Sequence, residues 1–496
     1  MSNAASNIML DDASLLREQC LIGGEWISGA ETIEVRNPAT NRLIARVPKL
    51  GSDATRSAIE NANRTLPAWR RLTAKARAQI LRRWGDLMLA HREDLARIMT
   101  AEQGKPLAEA RGEIAYAASF LEWFAEEGKR VYGETIPAPA DGQRIVVLKE
   151  AIGVCAAITP WNFPAAMITR KAGPSLAAGC TMVLKPASQT PLSALALAAL
   201  AERAGVPPGV FSVVTGAASQ IGAELCANPL VRKLSFTGST EIGRQLMAQT
   251  AGTVKKVSME LGGNAPFIVF EDADLDRAVE GAIASKFRNA GQTCVCTNRI
   301  YVHGSVYAEF SKRLTMAVQR LRIGDGSAEG VHVGPLIDEN AVRKVEEHIE
   351  DAIRHGATVL TGGRRHRLGG TFFEPTVLGG ATNEMAVAGE ETFGPVAPLF
   401  RFDSEQEVLA HANNTEFGLA SYFYTRDLGR AWRVAEALEH GMVGVNTGLI
   451  SNEVAPFGGI KQSGVGREGS RHGIDEYLTI KYVNFAGLAD PSIVSS

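Results

Sequence analysis

The chain has 496 residues, 45% hydrophobic and 21% charged, which is the balance of a globular protein rather than a disordered one. Its 52 Lys and Arg against 54 Asp and Glu give a formal net charge of −2, so the basic excess of a nucleic-acid binder is missing. No apolar run approaches the ~18 residues of a membrane span, and six cysteines with no CxxC pair exclude a disulfide scaffold and a zinc site. The expected setting is the reducing cytoplasm, with no metal. Asp11 and Asp12, near the N-terminus where a targeting peptide would be basic, agree with this.

In chain order, Ser2-Asn3-Ala4 carries no structural signal. Ile80, Trp84, Leu87, Leu95 and Ile98 keep helical spacing, so one long amphipathic helix is predicted between about 73 and 101. A second helix is predicted from Leu107 to Arg130, and residues 144–150 read as an isolated strand. Strands are then predicted from Gly153 to Ile158, Thr181 to Lys185, Phe211 to Val214, Lys233 to Thr237 and Lys255 to Met259. Helical patterns fill the gaps: Ala165 to Ala178, Leu192 to Ala204, Gln220 to Ala227 and Ile242 to Thr250. This alternation implies βαβ units and a doubly wound parallel sheet, an α/β fold. After 261 it restarts: Phe267 to Phe270, a helix around 274–288, Arg299 to Val302, a helix around 305–321, Thr358 to Leu360 and Met442 to Asn446. A second α/β domain is therefore expected from about 262. Residues 476–484 read as a last strand, expected to pair with 144–150 as an arm across a subunit interface.

Five short stretches could carry chemistry. Gly291-Gln292-Thr293-Cys294-Val295-Cys296 places a thiol in a polar loop, where a nucleophile is reachable, although most lone cysteines are buried small hydrophobes. Met259-Glu260-Leu261-Gly262-Gly263 puts a carboxylate at a strand end. Desolvation there raises its pKa toward that of a useful general base, and a helix cap or a lysine partner is the plainer reading. Thr159-Pro160-Trp161-Asn162-Phe163-Pro164 follows the first strand of the main series, where parallel sheets bind ligands. The Asn162 amide could steady an oxyanion or simply form a turn. Phe236-Thr237-Gly238-Ser239-Thr240 runs from a strand into a helix N-terminus suited to phosphate. Lys185-Pro186-Ala187-Ser188 ends the second strand of that series. Small, uncharged Ser188 beside Lys185 leaves room for a ribose 2′-phosphate, where an NAD site usually places an acid.

Together, in this order, these stretches resemble the aldehyde dehydrogenase superfamily from about residue 20 to 485. Glu390-Glu391-Thr392-Phe393-Gly394-Pro395 is a further match. The resemblance implies a dinucleotide-binding domain (1–130 and 150–261), a catalytic domain (262–465) and an oligomerisation arm (131–149 and 466–496). It implies Cys294 as nucleophile, Asn162 in the oxyanion hole, and Glu260 activating the water that hydrolyses the thioester. Lys171 and Glu468 would relay protons. Thr159, Pro160, Trp161, Lys185, Ser188, Gly238, Ser239, Glu391 and Phe393 would bind the cofactor, NADP by preference with NAD possible. A homo-oligomer, dimer or tetramer, is also implied.

Within the superfamily the chain looks most like the branch that oxidises succinate semialdehyde. Ile168-Thr169-Arg170-Lys171, Ser285-Lys286-Phe287-Arg288-Asn289 and Gly448-Leu449-Ile450-Ser451 carry that likeness. It implies that Arg170, Arg288 and Ser451 hold the distal carboxylate, with Arg170 expected on one helix with Asn162, about two turns on. Arginine's planar fork suits that task. Glutarate semialdehyde, one methylene longer, is the alternative substrate, and a methylene is worth only about 1–3 kcal/mol in discrimination. A CoA-acylating enzyme would not need Glu260. Cys296 is a candidate redox partner for Cys294, since strained disulfides are the labile kind.

Overall fold

Among the described residues two large, mainly parallel sheets carry the fold, beside a three-stranded antiparallel sheet and two two-stranded ones. The computed structural model describes residues 8–488; Ser2-Asn3-Ala4 and the last eight residues of the predicted arm lie outside them. In the first sheet five parallel strands lie in the spatial order Phe211–Val213, Thr181–Lys185, Val154–Ile158, Val231–Thr237, Lys256–Glu260. Their burial on both faces explains the nearly continuous apolar runs. The chain winds outward from the central strand Val154–Ile158, then returns past it to Val231–Thr237. That reversal is a topological switch point, the place where such sheets open a ligand crevice. The loops at 159–164 and 238–239 flank it.

The second sheet has the order Thr358–Thr361, Thr376–Ala381, Val396–Phe402, Thr297–His303, Ala265–Val269, Ala420–Tyr424, Met442–Val445. All of its pairings are parallel except the edge strand Thr358–Thr361. Gly464–Val465 crosses back to pair with Met259 and Glu260 of the first sheet. The late segment of the chain thus closes the edge of the first sheet at the carboxylate predicted to be the base. Strand Arg144–Ala151 pairs antiparallel with Leu478–Phe485 over eight residue pairs, and Glu134–Ile136 joins its other side.

The predicted long helix is two helices, Ala74–Ala90 and Arg92–Gln103. His91 breaks it with φ −100°, ψ 22°, and Gly104 ends the second helix at φ 94°. Apolar residues keep one spacing across the break because both helices bury Trp84, Leu95 and Ile98 in one core. Asn162 is not on the helix with Arg170. That helix spans Ala166–Ala178, because Pro164 disfavours helical backbone at the residue before it. Helix Ser52–Arg71, which the sequence reading missed, buries Thr55, Ala58, Ile59, Ala62 and Trp69, a face in which Ile59 and Trp69 are the only large apolar residues. Among the described residues no helix is long and apolar enough to cross a membrane.

Candidate active site

The loop before Cys294 is held in an uncommon shape. Asn289, Ala290 and Gly291 have φ of 51°, 55° and 76° in succession. Side chains prefer to avoid that region, so surrounding contacts must enforce it. A Cβ at Gly291 would stand 2.2 Å from the Gly394 carbonyl oxygen, so only glycine fits. Asn289 is the clamp. Its Nδ2 donates to the carbonyls of Asn162 (3.0 Å) and Gln292 (3.2 Å), and its Oδ1 accepts from Gln103 Nε2 at 2.8 Å. Its backbone N–H donates to Glu109 Oε2 at 2.9 Å. Asn162 Nδ2 donates to the Gln292 carbonyl at 3.0 Å, which fixes the predicted oxyanion donor to the nucleophile loop.

Cys294 is partly exposed in a cavity of about 330 Å³, whose walls include Phe163, Arg170, Arg288, Ser451 and Phe457. The cysteine, both predicted arginines and the serine therefore meet in one chamber. Burial pushes the Cys294 thiol up to about 12, against the pull of Arg170. The sulfur is thus a thiol at neutral pH, not the ready thiolate that a reachable loop cysteine suggests. Cys296 does not line the cavity. It is buried, and its Sγ donates to the Lys286 carbonyl at 3.4 Å.

Arg170 is already engaged. Its Nη2 lies 2.8 Å from Glu468 Oε2, both side chains are buried, and its guanidinium stacks over Phe457 at 3.8 Å. Glu468 also accepts from Lys171, which donates to Thr237 Oγ1 at 2.7 Å. Burial raises the Glu468 carboxyl, but Lys171 and Arg170 outweigh it and hold the group below the usual carboxylate range. Glu260 is the opposite case. Burial first, and the Glu468 anion second, push its carboxyl well up, and its Oε2 has no hydrogen-bond partner. One buried carboxylate is thus charged and the other is poised to take a proton, as a base requires.

On the crevice side, the Thr159 N–H donates to the Lys185 carbonyl at 3.1 Å, joining two predicted cofactor loops. Burial lowers the Lys185 ammonium to about 8, and its Nζ donates to the Pro186 carbonyl at 3.0 Å. Ser188 is half-buried just beyond Pro186. Trp161 and Phe393 meet edge to face at 5.6 Å. Gly238 donates to the Glu260 carbonyl at 3.1 Å, and Ser239 caps helix Thr240–Ala251. Burial raises Glu391 to about 7, although it accepts from Gly263 N–H at 3.1 Å.

The profile of the aldehyde dehydrogenase family matches residues 26–483. The chain belongs to the aldehyde dehydrogenase family. It is 68% identical to the NADP(+) succinate-semialdehyde dehydrogenase GabD of Escherichia coli, over 96% of this chain and 99% of that one. It is 66% identical to a glutarate-semialdehyde dehydrogenase of Pseudomonas aeruginosa, over 97% of this chain and 100% of that one. The crystal structure of succinate-semialdehyde dehydrogenase from Burkholderia pseudomallei superposes with a TM-score of 0.96 at 66% identity, covering 96% of this chain and 99% of that one.

The motifs do not mark the web that supports this aldehyde dehydrogenase site. Buried Lys105 donates to the Asn162 carbonyl at 2.7 Å and pairs with Glu113. Glu113 in turn accepts from the N–H groups of Ala165 and Ala166 at 2.9 and 3.2 Å, at the start of the helix that carries Arg170 and Lys171. The available signal was a set of charged residues inside an apolar helical pattern, Glu109 and Glu113 among them.

Proposed function

We propose that this chain oxidises succinate semialdehyde to succinate with reduction of NADP+, through a covalent adduct on Cys294. The observation that carries this reading is the one chamber lined by Cys294, Arg288, Ser451 and Arg170 together. Its volume of about 330 Å³ suits a short substrate with one charged end. The 68% identity to the Escherichia coli enzyme supports the same substrate and cofactor. The Pseudomonas relatives favour glutarate semialdehyde as a second substrate.

The crevice residues fit a dinucleotide. Lys185 has one protein acceptor for three N–H groups, the Thr159 hydroxyl is buried without a partner, and residues 186–190 carry no acid to repel a 2′-phosphate. Lys185, Ser188, Gly238, Ser239 and Glu391 would hold it, with Trp161 and Phe393 walling its reactive end, and Thr159 and Pro160 shaping the loop. When bound, it supplies the hydride acceptor.

The remaining chemistry belongs to the chain. The Cys294 thiol releases its proton to solvent, and the sulfur forms a bond to the aldehyde carbon. The resulting oxyanion is met by the Asn162 amide and the Cys294 backbone N–H. After hydride loss the adduct is a thioester. Glu260 removes a proton from water, the hydroxide adds to the thioester carbon, and the C–S bond breaks to release succinate and the thiol. Lys171 and Glu468 carry the proton onward. We assign 1–130 with 150–261 to cofactor binding and 262–465 to catalysis.

The arm exposes Ile480, Tyr482 and Phe485, 75%, 70% and 49% accessible, as a subunit contact would; sedimentation of the full chain tests it. The free thiols suit a cytoplasmic setting. A disulfide between Cys294 and Cys296 would first have to break the Lys286 contact. Comparing Cys296→Ala with the parent under mild peroxide tests it.

The deciding experiment crosses NADP+ and NAD+ with succinate semialdehyde, glutarate semialdehyde and butanal, following reduced cofactor. The highest kcat/KM is expected for succinate semialdehyde with NADP+. Equal rates with butanal would remove the carboxylate reading.

A further inference from the structure

The walls of the Cys294 chamber are asymmetric in their hydrogen bonding. Its carboxylates are spoken for: Glu109 accepts from the Asn289 N–H, and Glu113 from Lys105 and two helix N–H groups. Its donors are not. Arg288 Nε, Arg170 Nε and Tyr116 Oη are all buried without a hydrogen-bond partner. Buried polar groups are rarely left this way, and three unpartnered N–H and O–H donors in one chamber suit an anion.

Tyr116 is the member of this set that no sequence motif marks. It lies on helix Leu107–Glu127, where Glu109, Gly112, Glu113 and Tyr116 share the face lining the chamber. Its ring is fixed edge to face against Phe120 at 4.9 Å, and Phe120 in turn lies under the Arg170 guanidinium at 5.7 Å. Ser119 Oγ donates to the Tyr116 carbonyl at 2.8 Å and so steadies the same turn. Burial raises the phenol pKa, so the group stays a neutral O–H donor at working pH. Arg170 shares its charge with Glu468, which leaves Arg288 as the cation with a free face. The anion subsite therefore gains from a further donor that adds no charge.

We propose that the Tyr116 hydroxyl is a specificity-determining donor that binds the distal carboxylate of the substrate together with Arg288. This rests on the carboxylated-aldehyde reading above. It gives the unsatisfied phenol a reason to be kept: the cost of burying it in the free enzyme is recovered when the anion binds.

The test is Tyr116→Phe in the full-length enzyme, measured with succinate semialdehyde and with butanal. The ratio of the two kcat/KM values should fall about tenfold, through the KM of the semialdehyde. The variant's Tm without substrate should be unchanged or higher, since the change removes an unpaired buried hydroxyl. Tyr116→Met, which fills space without a donor, should lower the ratio similarly. An unchanged ratio in both variants would overturn the proposal. So would an equal loss on both substrates with a fallen Tm, because Tyr116 would then be structural. A parent enzyme with no preference for the semialdehyde would remove the carboxylate reading itself, and Tyr116's role with it.

Discussion

The crevice at the switch point and the chamber at Cys294 are built differently. The crevice is made from the ends of parallel strands, so each loop delivers several of the residues proposed to hold the cofactor: 159–161, 185–188 and 238–239. Its polar groups have few protein partners. The chamber is made from helices and one constrained loop, and buried charge crowds its wall and the layer behind it: Lys105, Glu113 and Arg170 line it, Arg170 and Lys171 pair with Glu468, and Glu260 is buried under the influence of Glu468. A site that holds a large cofactor needs room and open donors. A site that breaks and makes bonds needs groups with opposed proton affinities, and only mutual pairing lets so many charges stay inside. Substitutions should therefore separate into those that change binding and those that change chemistry and stability together.

The largest effect is expected for Glu260→Gln. Loss of the base should slow turnover by roughly 10²–10⁴-fold. The parent rate should rise with pH as the upshifted carboxyl deprotonates, and the variant should lose that limb; pH–rate profiles check both. Next is Glu468→Gln, which leaves Arg170 and Lys171 buried without their anion and should cost about 3–5 kcal/mol, read by denaturant unfolding. Because the Glu468 carboxyl is held low, its contribution is full above the unfolded value of about 4.3 and is lost as pH falls through the lower folded value. The same change removes the negative charge that helps to raise Glu260, so any surviving activity should show its basic limb at lower pH. The smallest effect belongs to the crevice. Lys185→Ala should raise the KM for NADP+ about tenfold, by loss of a charged hydrogen bond, with little change in stability. Cofactor titrations and melting curves check this. A large stability loss at Lys185 would erase the distinction between the two regions.

The same contrast explains what the sequence made legible. The crevice residues sit in short contiguous stretches at strand ends, so a linear reading finds them, and strand Thr181–Lys185 has the predicted ends. The chamber draws on Lys105, Glu113 and Tyr116 in its wall and on Asn289 in the loop before Cys294; they lie on separate segments of the chain, and each looks like an ordinary surface or turn residue until the helices pack. Arg170 was legible as a cation but not as a partner of Glu468, 298 residues away. The protonated state of Cys294 follows from burial, which spacing does not report. Helix Glu339–Arg354 and strands Thr376–Ala381 and Val396–Phe402 were missed although they flank the Glu391 loop. Their runs are broken by Gly and Pro or outweighed by charge.

The most direct measurement is the intact mass of Glu260→Gln after a single turnover with succinate semialdehyde and NADP+, followed by peptide mapping. If Cys294 is the nucleophile and Glu260 drives hydrolysis, one succinyl group should accumulate on the Cys294 peptide, at one equivalent per chain, with one equivalent of reduced cofactor. Reduced cofactor without a modified Cys294, or an acyl group on another residue, would contradict the account.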